Sequence, residues 1–160
     1  MAQSSTVLHG VRILSLALNL PGPAALMRCR QMGATCTKVE PPSGDPMGVY
    51  NRPAYAQLHE GVKVIAADLK TEDGQAMLRR ELARTDVLLT SFRPSALDKL
   101  GLGWKQLHSA YPSLCQVAIV GAPGVRAEEP GFLAGRTCAQ LDRLAMDKDI
   151  PLHTMAAGRD

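Results

Sequence analysis

The sequence has few aromatic residues and no long apolar run. Phe, Trp and Tyr make up only 4% of its 160 residues, which argues against the stacking platforms that bind single-stranded nucleic acid. Every apolar run is far shorter than a membrane span, and residues 1–6 are polar without a basic leader, so we expect neither a transmembrane helix nor a signal peptide. These absences predict a cytoplasmic protein that binds neither nucleic acid nor membranes.

The sequence also lacks the spacings typical of metal sites and hydrolase triads. Cys29 and Cys36 lie on different predicted elements, and Cys115 and Cys138 have no near partner. Free thiols in a reducing compartment are therefore expected. The four histidines lie in unrelated contexts, so no metal site is predicted. No Gly-x-Ser-x-Gly nucleophile elbow is found either.

The chain does have enough apolar sequence for one domain with a buried core. Apolar residues make up 46% of the chain, and the formal net charge is only +3. That apolar fraction is typical of globular proteins, and the length suffices for a single core. The mild positive charge suits a small ligand that carries phosphate, but it is also normal for a soluble surface.

Apolar runs that alternate with helical segments predict an α/β fold. We expect strands at residues 11–18, 35–40, 62–69, 86–92 and 114–120. We expect helices at residues 24–32, 71–84, 94–100 and 104–110. Because βαβ units make right-handed crossovers, these elements imply a Rossmann-like, mostly parallel sheet with flanking helices. Residues 43–61 show no clear period and are predicted to form an irregular loop.

The pattern changes after residue 121, which suggests a boundary. Residues 1–121 are predicted to form the α/β domain, and the segment 122–135, rich in Pro, Gly and acids, a linker. Residues 136–160 are predicted to form a C-terminal helical appendage and tail.

The first candidate site is the turn after the first strand, where residues 19–23 read Asn-Leu-Pro-Gly-Pro. A strand, a tight turn and a helix N-terminus present free backbone N–H groups, which favour an anion. Many α/β domains make this turn without a ligand, so the turn alone leaves binding open.

Two further segments end the second and third strands. Residues 38–41 read Lys-Val-Glu-Pro, and residues 67–70 read Ala-Asp-Leu-Lys. Glu40 is placed to contact a ribose hydroxyl, or it is simply a charged strand terminus. Lys70 precedes a helix and is placed to meet a phosphate.

The fourth segment is the most specific. Residues 91–94 read Ser-Phe-Arg-Pro and run into Leu-Gly-Leu-Gly at residues 100–103. Phe92 can cover an adenine face, and Arg93 and Lys99 can neutralise phosphates. Taken alone, a buried Phe beside two solvated cations explains the segment equally well.

In this order, the four segments resemble the N-terminal domain of the family III CoA-transferases, which include formyl-CoA transferase, carnitine CoA-transferase and α-methylacyl-CoA racemase. Residues 91–102 resemble the family pattern N-F-R-P-G-x-x-x-R-L-G-L nearly throughout. The resemblance implies a domain that binds CoA or an acyl-CoA as its ligand, without a metal. The residues that it implies for binding are Asn19, Leu20, Pro21, Ala67, Lys70, Ser91, Phe92, Arg93 and Lys99.

The chain departs from the family pattern in two places that matter. The family's Asn-Arg is replaced by His59 and Glu60, and Phe132 with Leu133 stand where His-Asp is expected. No Ala-Asp-x-x-Gly-Gly stretch, which carries the family's catalytic Asp, follows. We therefore assign no catalytic residue, interpret the chain as an internally shortened member, and leave open whether it is an enzyme.

Two functions from different classes follow from this interpretation. The chain either binds CoA or acyl-CoA with little or no turnover, or it is a non-catalytic interaction or oligomerisation module. The second function fits the interlocked dimers that the family forms, with a second copy or a full-length homologue as partner. A third possibility is an active transferase whose nucleophile comes from another chain.

Overall fold

The computed structural model describes residues 6–120, and the fold is given for that part of the chain. Strands and helices alternate along it. The strands are β1 (Arg12–Ser15), β2 (Thr35–Glu40), β3 (Lys63–Ala66), β4 (Val87–Thr90) and β5 (Cys115–Ala118). The helices are α1 (Pro21–Gln31), α2 (Met47–Tyr50), α3 (Arg52–Leu58), α4 (Glu72–Leu82), α5 (Pro94–Lys99) and α6 (Trp104–Ala110).

The five described strands form one parallel sheet in the order β3-β2-β1-β4-β5. The strand order reverses at β1, which pairs with β2 on one side and β4 on the other. In such a sheet the ligand crevice lies outside the carboxyl ends of the strands. The predicted α/β, Rossmann-like parallel sheet with flanking helices is confirmed. The linker at 122–135 and the appendage at 136–160 lie outside the described residues and stay predictions.

Each face of the sheet carries its own apolar core, because successive strand residues point to opposite faces. Leu14 and Leu88 pack on one face with Leu78 of α4 and Leu107 of α6. The other face carries a second cluster that consists of Ile13, Ala17, Leu26, Ala34, Cys36 and Leu89. Both faces are therefore covered, as a parallel sheet requires. Among the described residues no helix is long and apolar enough to cross a membrane.

The turn after β1 has the predicted length of five residues but lies three residues earlier in the chain than predicted. Helix α1 begins at Pro21 rather than at residue 24, and β1 ends at Ser15 rather than at residue 18. Gly22 lies so close to the segment that follows β1 that a Cβ added there would stand 2.3 Å from the Ala17 Cβ. Only glycine allows this close approach of α1 to the segment after β1.

The prediction of an irregular loop at residues 43–61 is wrong, because the segment contains helices α2 and α3. Asn51 caps α3 by accepting a hydrogen bond from the Ala54 N–H at 3.2 Å, and Pro53 stands in its first turn. Both are known helix-start signals. By contrast, the predicted cap of α4 is confirmed, since the Gly74 N–H donates to Thr71 Oγ1 at 3.1 Å.

Candidate functional site

A pocket of about 340 Å³ opens at the carboxyl edge of the sheet, bounded by the ends of β1, β2 and β3 and by helix α5. Its walls are mostly apolar and include Leu16, Leu18, Val39, Ala67, Leu69 and Phe92. The pocket lies where the strand order predicts a ligand crevice.

Charged side chains stand at the rim of this pocket. Lys70 and Lys99 line it, and both are exposed. Within the described residues neither ammonium group makes a hydrogen bond or an ion pair. Asp68 accepts a hydrogen bond from the Lys70 backbone N–H at 2.9 Å, which fixes the turn that carries Lys70. The pocket therefore offers an apolar interior and two unengaged cations, a combination that suits a ligand with a flat apolar part and an anionic part.

The structure brings together four of the nine residues predicted for CoA binding. Ala67, Lys70, Phe92 and Lys99 line the pocket. The other five stand outside its lining, and they are Asn19, Leu20, Pro21, Ser91 and Arg93.

Four of those five residues lie in the loops beside the pocket, and Pro21 is the first residue of α1. Leu20 and Pro21 are exposed at the start of α1, and Arg93 is exposed just before α5. The Ser91 hydroxyl accepts a hydrogen bond from the Leu18 N–H at 3.4 Å, so it touches the backbone of a pocket residue. Asn19 is, among the described residues other than glycine, the one with a positive φ, at 62°.

A second group of polar residues was not predicted as a site. We call it the Lys38 cluster, and it comprises Lys38, Glu40, Asp45, Tyr55 and His59. Lys38 is fully buried, and its Nζ lies 2.5 Å from Asp45 Oδ2 and 2.9 Å from Glu40 Oε1. A buried lysine is tolerated only when its charge is paired and its donors are used. Lys38 therefore depends on these two carboxylates.

His59 is the third side chain in contact with the Lys38 ammonium group. Its Nδ1 lies 2.7 Å from the Tyr55 backbone oxygen, and its Nε2 lies 2.9 Å from Lys38 Nζ. Because a carbonyl oxygen only accepts, Nδ1 carries the proton and Nε2 accepts from Lys38. All three Lys38 donors are thus directed at acceptors.

The two carboxylates of the Lys38 cluster are also held by the surrounding chain. Glu40 accepts from the Tyr55 hydroxyl at 2.9 Å and from the Asp45 N–H at 3.1 Å. Asp45 accepts from the Met47 N–H at 2.9 Å and from the Asn19 N–H at 3.1 Å. The network joins β2, the segment before α2, helix α3 and the turn after β1.

Burial and hydrogen bonding shift the pKa values of three residues in the Lys38 cluster. Burial by itself raises the pKa of Asp45, but hydrogen bonds from Lys38, Met47 and Asn19 outweigh it and hold that pKa below its usual value. Burial lowers the pKa of His59, and the charge of Lys38 lowers it further. Burial and the hydrogen bond to Glu40 raise the pKa of Tyr55 to about 12. Neutral His59 and ionised Asp45 are therefore the forms that the fold favours.

The donor atoms of Glu40, Asp45 and His59 all lie within 4.8 Å of one another, as metal ligands would. The Lys38 ammonium group, however, is within hydrogen-bond distance of all three side chains. The Lys38 ammonium group thus already places a positive charge among these donors.

The sequence contained one signal for this cluster. Cys36, Lys38 and Glu40 alternate along β2 and so share the face of the sheet that α1 covers. Charged residues on a covered face need partners, but the spacing does not reveal that Asp45 and His59 supply them.

Comparison with known proteins identifies the family. The model of CoA-transferase family III matches residues 8–141, and the chain belongs to this family.

Similar proteins agree with this assignment. Succinyl-CoA–D-citramalate CoA-transferase of Chloroflexus aurantiacus is 36% identical over an alignment of 135 residues, and the match covers 78% of this chain and 34% of that protein. Cinnamoyl-CoA:phenyllactate CoA-transferase of Clostridium sporogenes is 33% identical over an alignment of 146 residues, and the match covers 82% of this chain and 35% of that protein. A crystal structure of a CAIB/BAIF family protein from Brucella suis matches with a TM-score of 0.72 and 30% identity, over 88% of this chain and 39% of that chain. The chain thus spans about a third of the length of the curated relatives it matches.

Proposed function

We propose that this domain binds CoA or an acyl-CoA at the carboxyl-edge pocket, as the nucleotide-binding part of a protein of the CoA-transfer type. The observation that carries the proposal is the apolar pocket with Lys70 and Lys99 at its rim. CoA combines a flat adenine with a pyrophosphate and a ribose phosphate. Phe92 and the apolar walls suit the adenine, and the two ammonium groups suit phosphate oxygens.

The described residues supply binding rather than a nucleophile. CoA transfer between acids requires a carboxylate that is free to attack a thioester. Glu40 lines the pocket, but its carboxylate is engaged by Lys38, Tyr55 and the Asp45 N–H. We therefore assign no catalytic residue in residues 6–120. We propose little or no turnover by the domain of residues 6–120 alone, and a cytoplasmic location remains our expectation.

A calorimetric titration of the purified chain with CoA tests the proposal. We expect saturable binding with a dissociation constant between micromolar and sub-millimolar, or roughly −8 to −5 kcal/mol. The paired change Lys70→Ala and Lys99→Ala should weaken binding by about tenfold or more, and less so at high salt. Lys105→Ala, an exposed lysine on α6, is the matched control and should bind as the wild type does. No binding heat from a folded sample, or equal affinity in the paired variant, would contradict the proposal.

The alternative, an interaction or oligomerisation module, draws on the edges of the sheet. Among the described residues β3 and β5 each pair on one side only, and Val64 and Val117 on these strands are 41% and 42% exposed. Open edges with apolar side chains favour pairing with another chain. Sedimentation velocity of the chain alone, and after mixing with a full-length homologue, distinguishes the two. A concentration-independent monomer in both samples would contradict this alternative.

A further inference from the structure

The Lys38 cluster contacts the candidate pocket at two points. Glu40 belongs to the cluster and also lines the pocket. Asp45 holds the N–H of Asn19, and Asn19 directly follows the pocket residue Leu18. The Lys38 cluster therefore connects the core on the α1 face of the sheet to the wall of the pocket.

Asn19 needs such a restraint because of its backbone. A residue with a side chain pays about 1–2 kcal/mol to occupy the left-handed region, and Asn is among the residues that tolerate it best. Its φ of 62° lets the chain leave β1 and enter α1 at Pro21. The Asp45 carboxylate, which accepts the Asn19 N–H with both oxygens at 3.1 Å, stabilises this conformation. Strained backbone that the surroundings hold in place is often functional.

Lys38 in turn orients Asp45. Its Nζ contacts Asp45 Oδ2 and Glu40 Oε1 at once, so one ammonium group sets both carboxylates. We propose that Lys38 and Asp45 are positioning residues for CoA binding, which act through Glu40 on the wall of the pocket and through the backbone of Asn19 beside the pocket residue Leu18. This inference rests on the proposed function, because it names the residues that shape the same pocket.

The first test is a change of charge with little change of shape, Asp45→Asn. It keeps one oxygen for hydrogen bonds but removes the charge that Lys38 faces. We expect the variant to fold and its dissociation constant for CoA to rise by about tenfold. Asp86→Asn is the matched control, because Asp86 also pairs with a cation and accepts a backbone N–H, both from Arg12. The control should bind CoA as the wild type does.

A readout without ligand separates this inference from the proposed function. In a ¹H–¹⁵N spectrum, the Asn19 amide should resonate downfield because it donates to a carboxylate, and Asp45→Asn should shift it upfield. An unmoved Asn19 amide overturns the inference whether or not CoA binds. If the amide moves but the wild type fails to bind CoA, the proposed function fails and the role in CoA binding is overturned with it.

Tyr55→Phe is the second variant, in case Asp45→Asn does not fold. It deletes the hydroxyl that donates to Glu40 but keeps the ring that stacks on His59. We expect CoA affinity to fall by about two- to fourfold, with unchanged affinity in a Tyr111→Phe control. Wild-type CoA affinity in a folded Asp45→Asn or in Tyr55→Phe would show that the Lys38 cluster only stabilises the fold, and would overturn the inference.

Discussion

The parallel sheet carries ion pairs at both of its ends, and the two ends treat charge differently. At the carboxyl end, the side chains of Lys38 and Asp45 are both 0% exposed. At the amino end, Arg12 and Asp86 pair at 2.9 Å with side chains that are 53% and 42% exposed. The pairs have the same chemistry, a cation on a strand and a nearby aspartate. The two pairs differ in how much of each side chain is exposed to solvent.

Burial changes what each pair contributes. Exposed pairs are screened by water and salt and contribute little to stability. A buried pair interacts more strongly, but each partner has lost its hydration and cannot do without the other. The amino-end pair is therefore expected to contribute little to stability, whereas removing one charged partner from the Lys38 cluster should cost much more.

The largest effect is expected for Lys38→Met. The change leaves Glu40 and Asp45 buried without their counter-charge, which costs about 3–5 kcal/mol. Urea unfolding measures the loss. Lys63→Met on the exposed surface of β3 is the control and should change stability by less than about 0.5 kcal/mol. A similar small loss in Lys38→Met would show that the carboxylates find other partners.

A change of pH is expected to have an intermediate effect on folding stability, because His59 binds protons differently in the folded and unfolded chain. Its pKa is lowered in the fold, so below an ordinary value near 6.5 the unfolded chain binds more protons than the folded one. Stability is therefore full above pH 6.5 and falls as the pH drops through the folded pKa of His59, by at most about 1.4 kcal/mol per pH unit for one proton. The lowered pKa of Asp45 adds a further loss only below about pH 4.

Urea unfolding of His59→Asn between pH 7 and pH 4.5 measures this contribution. The variant should show a flatter profile than the wild type. His108→Asn is a close control, because the surroundings of the two histidines are similar. His108 Nδ1 lies 3.0 Å from the backbone oxygen of Trp104, four residues earlier, and the His108 ring lies against the Trp104 ring. It has no lysine partner among the described residues. If both variants flatten the dependence of stability on pH equally, the contact of His59 with Lys38 does not cause that dependence.

The smallest effect is expected for Asp86→Asn. Hydrogen bonds from Arg12 lower the pKa of Asp86, but the pair is exposed and therefore screened. The variant should lose much less stability than Lys38→Met, and the loss should shrink further in high salt. A salt-independent loss as large as that of Lys38→Met would abolish the distinction between the two ends of the sheet.

Most of the fold was predictable because it depends on local patterns. Short apolar runs that alternate with helices have few solutions other than a parallel sheet with covered faces. Helices α2 and α3 were missed for a physical reason. Half-buried Tyr55 of α3 and buried His59, which directly follows that helix, make polar contacts with Glu40 and Lys38, so the segment shows no apolar period.

The site was predictable only where it depends on strand ends. Ala67, Lys70 and Phe92 closely follow the ends of β3 and β4, and parallel strands bring such residues together. Lys99 ends helix α5, the helix that follows β4. The Lys38 cluster was not predictable, because it joins residues 7 and 21 positions from Lys38 through the path of α2 and α3. A sequence shows that a lysine is charged, but only the three-dimensional path shows that it is buried.

The strand order has a consequence for synthesis of the chain. The central strand β1 is made early, but its partner β4 begins only at Val87. At typical rates of translation, the chain between them takes on the order of several seconds to make. During that time one edge of β1 has no neighbouring strand, so its unpaired backbone N–H and C=O groups can pair with a wrong strand. A nascent chain arrested before residue 87 should therefore recruit holdase chaperones more strongly than one arrested after β5.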